Sequence, residues 1–216
     1  AESVLHDGRL AARALRRSPA FALTAIATLA LSVGATTTMF SAVDGVLLRP
    51  LPYPESDRLM AVLQENRLKQ ERTDASPANF LDWRERSRSF THLASAEPFS
   101  FDIDTPNGPE TIPTWLVSEG FFEAVGARPL LGRTPRSEEF VSGREGVVVI
   151  SHALWVARFA ADSAVLGRTI AADRKPVTII GVMRPEFKVP YAGDEMAFWT
   201  PKVFDAGDRD NRGATY

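Results

Sequence analysis

The chain has 216 residues, which is enough for one sizeable domain and a membrane anchor. It contains no cysteine, so disulfides, thiol catalysis and thiolate zinc sites are excluded. Its net charge is −2, whereas nucleic-acid binding requires a basic surface, so the chain is a poor candidate for that function. The chain starts at Ala1 rather than at a methionine and its last segment is polar, so we interpret it as the N-terminal fragment of a longer protein.

The first predicted element is a transmembrane helix over residues 19–43, which hold 25 consecutive uncharged residues. At ~1.5 Å per residue this segment is roughly 37 Å long, more than the ~30 Å hydrocarbon core of a bilayer. A signal peptide has a shorter apolar region, and a buried core helix is usually shorter and polar on one side. The length therefore favours a membrane span.

The charges that flank this span predict its orientation. Arg13, Arg16 and Arg17 precede it, and Asp44 is the first charged residue after it. The positive-inside rule places residues 1–18 in the cytoplasm and residues 44–216 in the periplasm or otherwise outside the cytoplasm, with the helix in the cell (inner) membrane.

One face of the predicted span is rich in small and hydroxylated side chains. Such residues allow two membrane helices to approach closely, and hydroxyls can bond across the contact, so this face is a candidate for packing against another helix. Alternatively, each hydroxyl bonds back to the carbonyl four residues earlier and does nothing more. The residues of this candidate face are Thr24, Thr28, Ser32 and Thr36, with Gly34 in the neighbouring row.

Residues 44–57 are predicted to form a linker. Pro50, Pro52 and Pro54 lie within five residues, which excludes a helix and a central strand. We interpret the linker as stiff and extended. The following apolar run, residues 58–64, is predicted to be a strand.

Residues 58–216 alternate short helices and strands, which predicts a mixed α+β domain. The patterns rest on helix caps, alternating apolar residues and turn residues between paired strands. In chain order they first predict a helix capped by Ser76, with Phe80, Trp83, Ser87, Phe90 and Leu93 on one face, and then a hairpin of residues 99–104 and 111–117. A short helix capped by Ser118 and ending at Gly126 follows, then a buried strand at 147–150 and a helix capped by Ser151. The last predicted elements are a hairpin of residues 169–172 and 177–183 and a strand at 197–201.

A search for catalytic, cofactor and metal sites gives none. The chain has no GxxxxGK[ST] and no GxGxxG motif, and its three histidines lack metal-ligand spacing. Ser151 and His152 are adjacent, but neighbouring residues on a helix point apart, so a Ser–His relay between them is excluded. Asp102 and Asp104 share one strand face and are interpreted as solvent-exposed. We expect no enzymatic activity and no cofactor.

Several of these segments resemble the FtsX-like and MacB-like permeases of ABC-type exporters with a periplasmic core domain, and in particular the long duplicated permeases of acidobacteria. The resemblance covers nearly the whole chain, although Ser32 stands where a glycine is usual and Thr36 where an asparagine is. The residues that carry it are RALRRSPAF from Arg13, LALSVGA from Leu29, LLRPLPYP from Leu47, NFLDWRERSRSF from Asn79, GFF from Gly120, LGR from Leu131, VVISHALW from Val148, GRT from Gly167, IGVM from Ile180 and FWTP from Phe198.

The resemblance implies a permease subunit, without catalytic residues in this domain, that pairs with a separate ATPase subunit or has lost that partner. It also implies three further membrane helices beyond this chain, packing with the first, a dimer, and a periplasmic core that is incomplete at Tyr216. The implied function is transmission of motion from the membrane helices to a substrate or partner. The alternative is a membrane-anchored extracytoplasmic binding module without transport, and a weaker third option is a secreted hydrolase using Ser151.

Overall fold

The computed structural model describes residues 17–44, 53–66, 71–105, 108–189 and 198–213. The chain divides into two compact units, Ala1–Pro50 and Leu51–Tyr216. Among the described residues, the first unit contains one helix, and the second contains the sheets and the other helices.

Helix α1 of the first unit runs over Pro19–Val43. Pro19 occupies the first helical position, where a missing N–H leaves no bond unmade. Within it, Pro19–Ser41 forms a 23-residue stretch of hydropathy 1.6, long and apolar enough to cross a membrane. Large side chains such as Phe21, Leu31 and Met39 are exposed along this helix, so its apolar surface is available to lipid or to other helices.

The main sheet of the second unit has seven strands in the order β5-β8-β6-β9-β4-β3-β7, and β7 also pairs with β8. Six of the strands, β8, β6, β9, β4, β3 and β7, therefore form a closed ring, and β5 pairs with β8 beside it. The pairs β4–β9 and β6–β8 are parallel and the others antiparallel. The strands are β3 Ala96–Thr105, β4 Gly108–Val117, β5 Pro129–Gly132, β6 Val147–Ile150, β7 Thr169–Ala172, β8 Lys175–Met183 and β9 Phe198–Pro201.

A separate two-stranded sheet precedes the ring. It pairs β1, Gln64–Asn66, with β2, Glu71–Thr73, in antiparallel register. The side-chain amide of Gln64 accepts from Ser76 N at 3.2 Å and from Asn79 Nδ2 at 2.9 Å. These two bonds tie β1 to the N-terminus of the next helix.

Four further helices are described in this unit. Ser76 and Ser151 cap two of them by accepting from the backbone N–H three residues later, at 3.4 Å for Asn79 and 3.1 Å for Leu154. Asp205 and Asp208 form a reciprocal capping box at a third. The helices are α2 Pro77–Arg86, α3 Phe121–Ala124, α4 His152–Phe159 and α5 Ala206–Asp210.

The buried side chains form two clusters that meet opposite faces of the sheet. Along β6, Val148 and Ile150 belong to the first cluster and Val149 to the second, because successive side chains of a strand point to opposite faces. The first cluster draws residues from all six ring strands and from α4. The second cluster joins strand residues to α3 and to residues outside the ring: Tyr53, Val117, Phe121, Phe122, Val125, Val149, Met183, Val189 and Trp199.

The mixed α+β architecture and both hairpins are confirmed, as are the caps by Ser76 and Ser151. The strand predicted at residues 58–64 is wrong, because a 3-10 turn covers Ser56–Arg58 and the strand begins only at Gln64. Helix α2 ends at Arg86, since Ser87 is already extended (ψ 137°), so Phe90 and Leu93 follow the helix rather than belonging to it.

Ser118 does not cap α3, contrary to the sequence prediction. The N-cap of α3 is Gly120, in the left-handed region at φ +84°. The hydroxyl of Ser118 instead accepts from Ser95 N at 2.8 Å, which joins the start of β3 to the end of β4. The predicted stop at Gly126 agrees with its φ of +63°, which favours glycine.

Candidate functional site: helix face and linker anchor

The threonine hydroxyls of the candidate helix-packing face bond within their own helix. Thr28 Oγ1 donates to Thr24 O and Thr36 Oγ1 to Ser32 O, both at 2.8 Å, and Thr24 Oγ1 donates to Ala20 O at 3.1 Å. Back-bonding of this kind satisfies the donors, so these hydroxyls can offer a neighbouring helix only their acceptor lone pairs. A Cβ added at Gly34 would meet nothing within 4 Å, which leaves this part of the face open.

The end of the predicted linker is part of the packed domain. Pro50 and Pro52 lie outside the described residues, whereas Pro54 lies against Gly126, where an added Cβ would be 3.2 Å from Pro54 Cγ. Tyr53 is 7% exposed and belongs to the second cluster. The predicted linker of residues 44–57 therefore ends in residues that belong to the compact unit beginning at Leu51.

Tyr53 makes two kinds of contact with the segment that follows β8. Its hydroxyl donates to the backbone oxygen of Lys188. Its ring meets Phe187 edge-on, with the ring centroids 6.4 Å apart. Burial raises the pKa of the Tyr53 phenol well above its usual value, so this hydroxyl stays protonated and remains a donor.

Phe187 connects Tyr53 to the rest of the second cluster. Its ring lies 5.2 Å from that of Trp199 on β9 and 6.3 Å from that of Phe122 on α3. Trp199 is 3% exposed, so it packs in the core and does not line a surface groove. Its indole Nε1 has no hydrogen-bond partner among the described residues. Sequence reasoning missed Tyr53, because a tyrosine between two prolines carries no periodic pattern.

A partly buried ion pair holds the loop that follows β5. Arg133 Nη1 and Nη2 donate to Glu139 Oε2 and Oε1, at 2.7 Å and 2.6 Å, and Arg136 N donates to Glu139 Oε2 at 2.7 Å. The bond to Arg133 is the main reason that the pKa of Glu139 is lowered. The pairing of Glu139 with Arg133 was not predicted from the sequence.

An open groove lies beside helix α2, with a volume of about 460 Å³. It is bounded by apolar side chains and by the charged pair Asp82 and Arg86, whose closest atoms are 3.9 Å apart. Phe90 is 39% exposed there. The lining residues are Val62, Asp82, Trp83, Arg86, Ser87, Phe90 and Leu93.

The residues considered for chemistry have structural roles. Ser151 Oγ accepts from Leu154 N, and the His152 ring meets Trp155 edge-on at 5.5 Å. Asp102 accepts from Thr111 Oγ1 at 2.7 Å, and its backbone N–H donates to Asp173 Oδ1 at 2.8 Å. Within the described part of the chain, no three His, Asp or Glu side chains come together as a metal site.

Comparison with known proteins agrees with this architecture. The family model of the MacB-like periplasmic core domain matches residues 22–213. No curated protein matches the chain significantly.

Two of the similar solved structures are domains of transporters. The extracellular domain of the ABC-type transporter YknZ from Gram-positive bacteria is 18% identical, with a TM-score of 0.45, and the match covers 56% of this chain and 59% of that domain. The periplasmic region of MacB from Actinobacillus actinomycetemcomitans is 19% identical, with a TM-score of 0.47, and the match covers 64% and 62%. The chain thus spans about three fifths of the length of these solved domains. From the family match over residues 22–213, the chain belongs to the MacB-like periplasmic core domain family.

Proposed function

We propose that this chain acts in a permease subunit of an ABC-type exporter, where its extracytoplasmic domain transmits motion from the membrane helices to a substrate or partner. The observation that carries the proposal is the packing of Tyr53 and Pro54 against Phe187 and Gly126. A proline-rich linker that ends in a buried residue passes movement into the domain, whereas a flexible linker would absorb it.

The proposal includes a membrane arrangement and partners. Helix α1 crosses the inner membrane with its N-terminus in the cytoplasm, as the arginines before Pro19 and Asp44 after the span predict. It packs against other membrane helices through the face that contains Gly34. A separate ATPase subunit supplies the energy, and the permease works as a dimer.

The test is a distance measurement in the intact protein. These 216 residues lack cysteine, so spin labels can be placed uniquely at Ser41→Cys and Asp173→Cys once any cysteine elsewhere in the intact protein has been replaced by serine. The labelled permease is purified with the ATPase subunit that accompanies it, and the label distance is compared without nucleotide and with ATP and vanadate. We expect a shift of the distance on trapping, and a broad, unshifted distribution in the Pro50→Ser, Pro52→Gly variant. These substitutions leave the contact of Pro54 intact. A distance that does not respond to ATP in the unsubstituted linker would overturn the proposal.

The open groove beside α2 supports the second candidate function, a membrane-anchored binding module. Trp83 and Phe90 contribute aromatic surface there, and aromatic side chains are frequent at sites of protein recognition. If no ATPase subunit purifies with the intact protein and the label distance stays fixed, this second function is favoured over transport.

A further inference from the structure

The first residue after helix α1 that is described and buried is Tyr53. A chain pulled from its N-terminal side transfers the force to the first residue that tertiary contacts hold in place. Among the described residues after α1 that residue is Tyr53, and the segment that it contacts, Phe187–Val189, lies 134 residues or more away in sequence. The force is therefore not passed first to the strands β1 and β2 that follow directly.

The contacts of Tyr53 and Pro54 define where the force would go. The Tyr53 hydroxyl bonds to Lys188 O and its ring packs on Phe187, while Pro54 rests on Gly126 at the end of α3. Phe187 in turn packs on Trp199, which lies in β9 between β4 and β6. Movement at Tyr53 thus reaches the middle of the ring through two aromatic contacts.

The chain beyond Pro54 is held less firmly. Glu55 sits in the left-handed region at φ +56°, which is uncommon for a residue with a side chain, and the 3-10 turn Ser56–Arg58 follows it with no buried residue. Leu59 packs partly against the second cluster, but Met60 is 73% exposed. The residues of this segment that tertiary contacts hold most firmly are thus Tyr53 and Pro54, with a weaker contact at Leu59.

We propose that Tyr53 is the mechanical anchor of the domain, the residue through which displacement of the linker is passed to Phe187 and Trp199 instead of to the β1–β2 sheet. This inference rests on the proposed function for its biological meaning, but the anchor itself is a property of the domain.

The experiment is single-molecule force spectroscopy on the full chain in nanodiscs. Handles are attached at Leu47→Cys and Asp173→Cys. With Tyr53 in place, we expect no extension of the domain below the force at which the ring opens. In Tyr53→Ala we expect an added event at lower force that releases residues 53–58, about 20 Å of extended chain.

Two further variants keep the result interpretable. Met60→Ala removes an apolar side chain from the same segment but not from the cluster, and should behave as the parent protein. Tyr53→Phe keeps the ring and loses the bond to Lys188 O, so its added event should occur at a higher force than that of Tyr53→Ala. It replaces Tyr53→Ala in the comparison if that variant does not fold. Force traces of Tyr53→Ala, or of Tyr53→Phe in its place, that match the parent would overturn the anchor. A failure of the ATP-linked distance change would leave these traces unaffected, so the two proposals fail separately.

Discussion

Glu139 and Arg133 form a bidentate ion pair in which the carboxylate side chain is 11% exposed and the guanidinium side chain 36%. The pair lies between β5 and β6 and holds the loop that connects them. Charge-assisted bonds of this fork geometry are stronger than neutral ones, and Glu139 accepts a third bond from Arg136 N.

Replacing Glu139 by Gln should destabilise the domain. The amide keeps the shape of the side chain but removes its charge, and its NH2 group would face the donor groups of Arg133 and Arg136, with which it cannot form a hydrogen bond. Because Arg133 is partly exposed to solvent, we expect a loss of about 1–2 kcal/mol in the free energy of unfolding, measured with urea. Glu138→Gln is the matched control, since Glu138 is 60% exposed and 3.9 Å from Arg136, and it should change stability by less than about 0.5 kcal/mol. Equal effects of the two substitutions would contradict the conclusion that the ion pair of Glu139 with Arg133 stabilises the domain.

The same pair should make stability depend on pH on the acid side. The pKa of Glu139 is lower in the folded state, mainly because of its bond to Arg133, so the folded state favours the charged carboxylate. This contribution is fully present above the unfolded pKa of about 4.3 and is lost as the pH falls through the lower folded pKa. The stability difference between the parent and Glu139→Gln should therefore shrink below about pH 4. Urea midpoints that stay equally separated at acid pH would contradict this.

Gly181→Ala should weaken the contact between β8 and the segment after β5. An added Cβ would lie 2.3 Å from the backbone oxygen of Arg133, which forces the two segments apart. We expect the free energy of unfolding to fall by about 1–3 kcal/mol. The thermal midpoint should fall by several degrees, since 1 kcal/mol corresponds to about 2–4 °C for a protein of this size. Gly213→Ala meets nothing within 4 Å and serves as the control. A midpoint of Gly181→Ala equal to that of the control would refute the steric argument.

Ser151 should matter for stability and not for chemistry. Its hydroxyl accepts from Leu154 N at the start of α4, so Ser151→Ala should lower the free energy of unfolding by about 1 kcal/mol. Ser151→Asp provides another good cap and should retain most of the stability of the parent. If Ser151→Ala has the stability of the parent and abolishes a hydrolytic activity, the capping role is wrong.

Two substitutions in α1 separate the two interpretations of its small-residue face. Thr28 Oγ1 already donates to Thr24 O, so Thr28→Val should leave helix association nearly unchanged. Gly34→Ile fills an open position and should weaken association, because small residues allow close approach. Association is measured by energy transfer between labelled full-length permeases in vesicles. Equal association of Gly34→Ile and the parent would remove this face as a helix contact.

Local features of the fold were predictable from the sequence. The N-caps at Ser76 and Ser151 need only a hydroxyl and the backbone N–H three residues later. The hairpin β3–β4 needs alternating side chains and a turn, and its register is fixed by that turn. These patterns depend on residues close together in the chain, so they are visible without tertiary contacts.

Features that depend on distant partners were not predictable. Nothing near Phe198 indicates that β9 pairs with β4 on one side and β6 on the other. Tyr53 was assigned to a linker because its partners Phe187 and Lys188 lie far along the chain. The apolar run at residues 59–63 has the composition of a strand, yet ladder pairing in the described structure begins only at Gln64.

The position of β9 in the ring has a consequence for biogenesis. Of the strands described it is the latest in the sequence, yet it separates β4 from β6, which are both synthesised earlier. During synthesis from the N-terminus the ring cannot close until Pro201 has been added, because β9 must pair with both β4 and β6. Until then the edges of β4 and β6 that pair with β9 lack their partner strand, so a chain stalled before Phe198 should be cleaved by added protease where the completed domain is resistant.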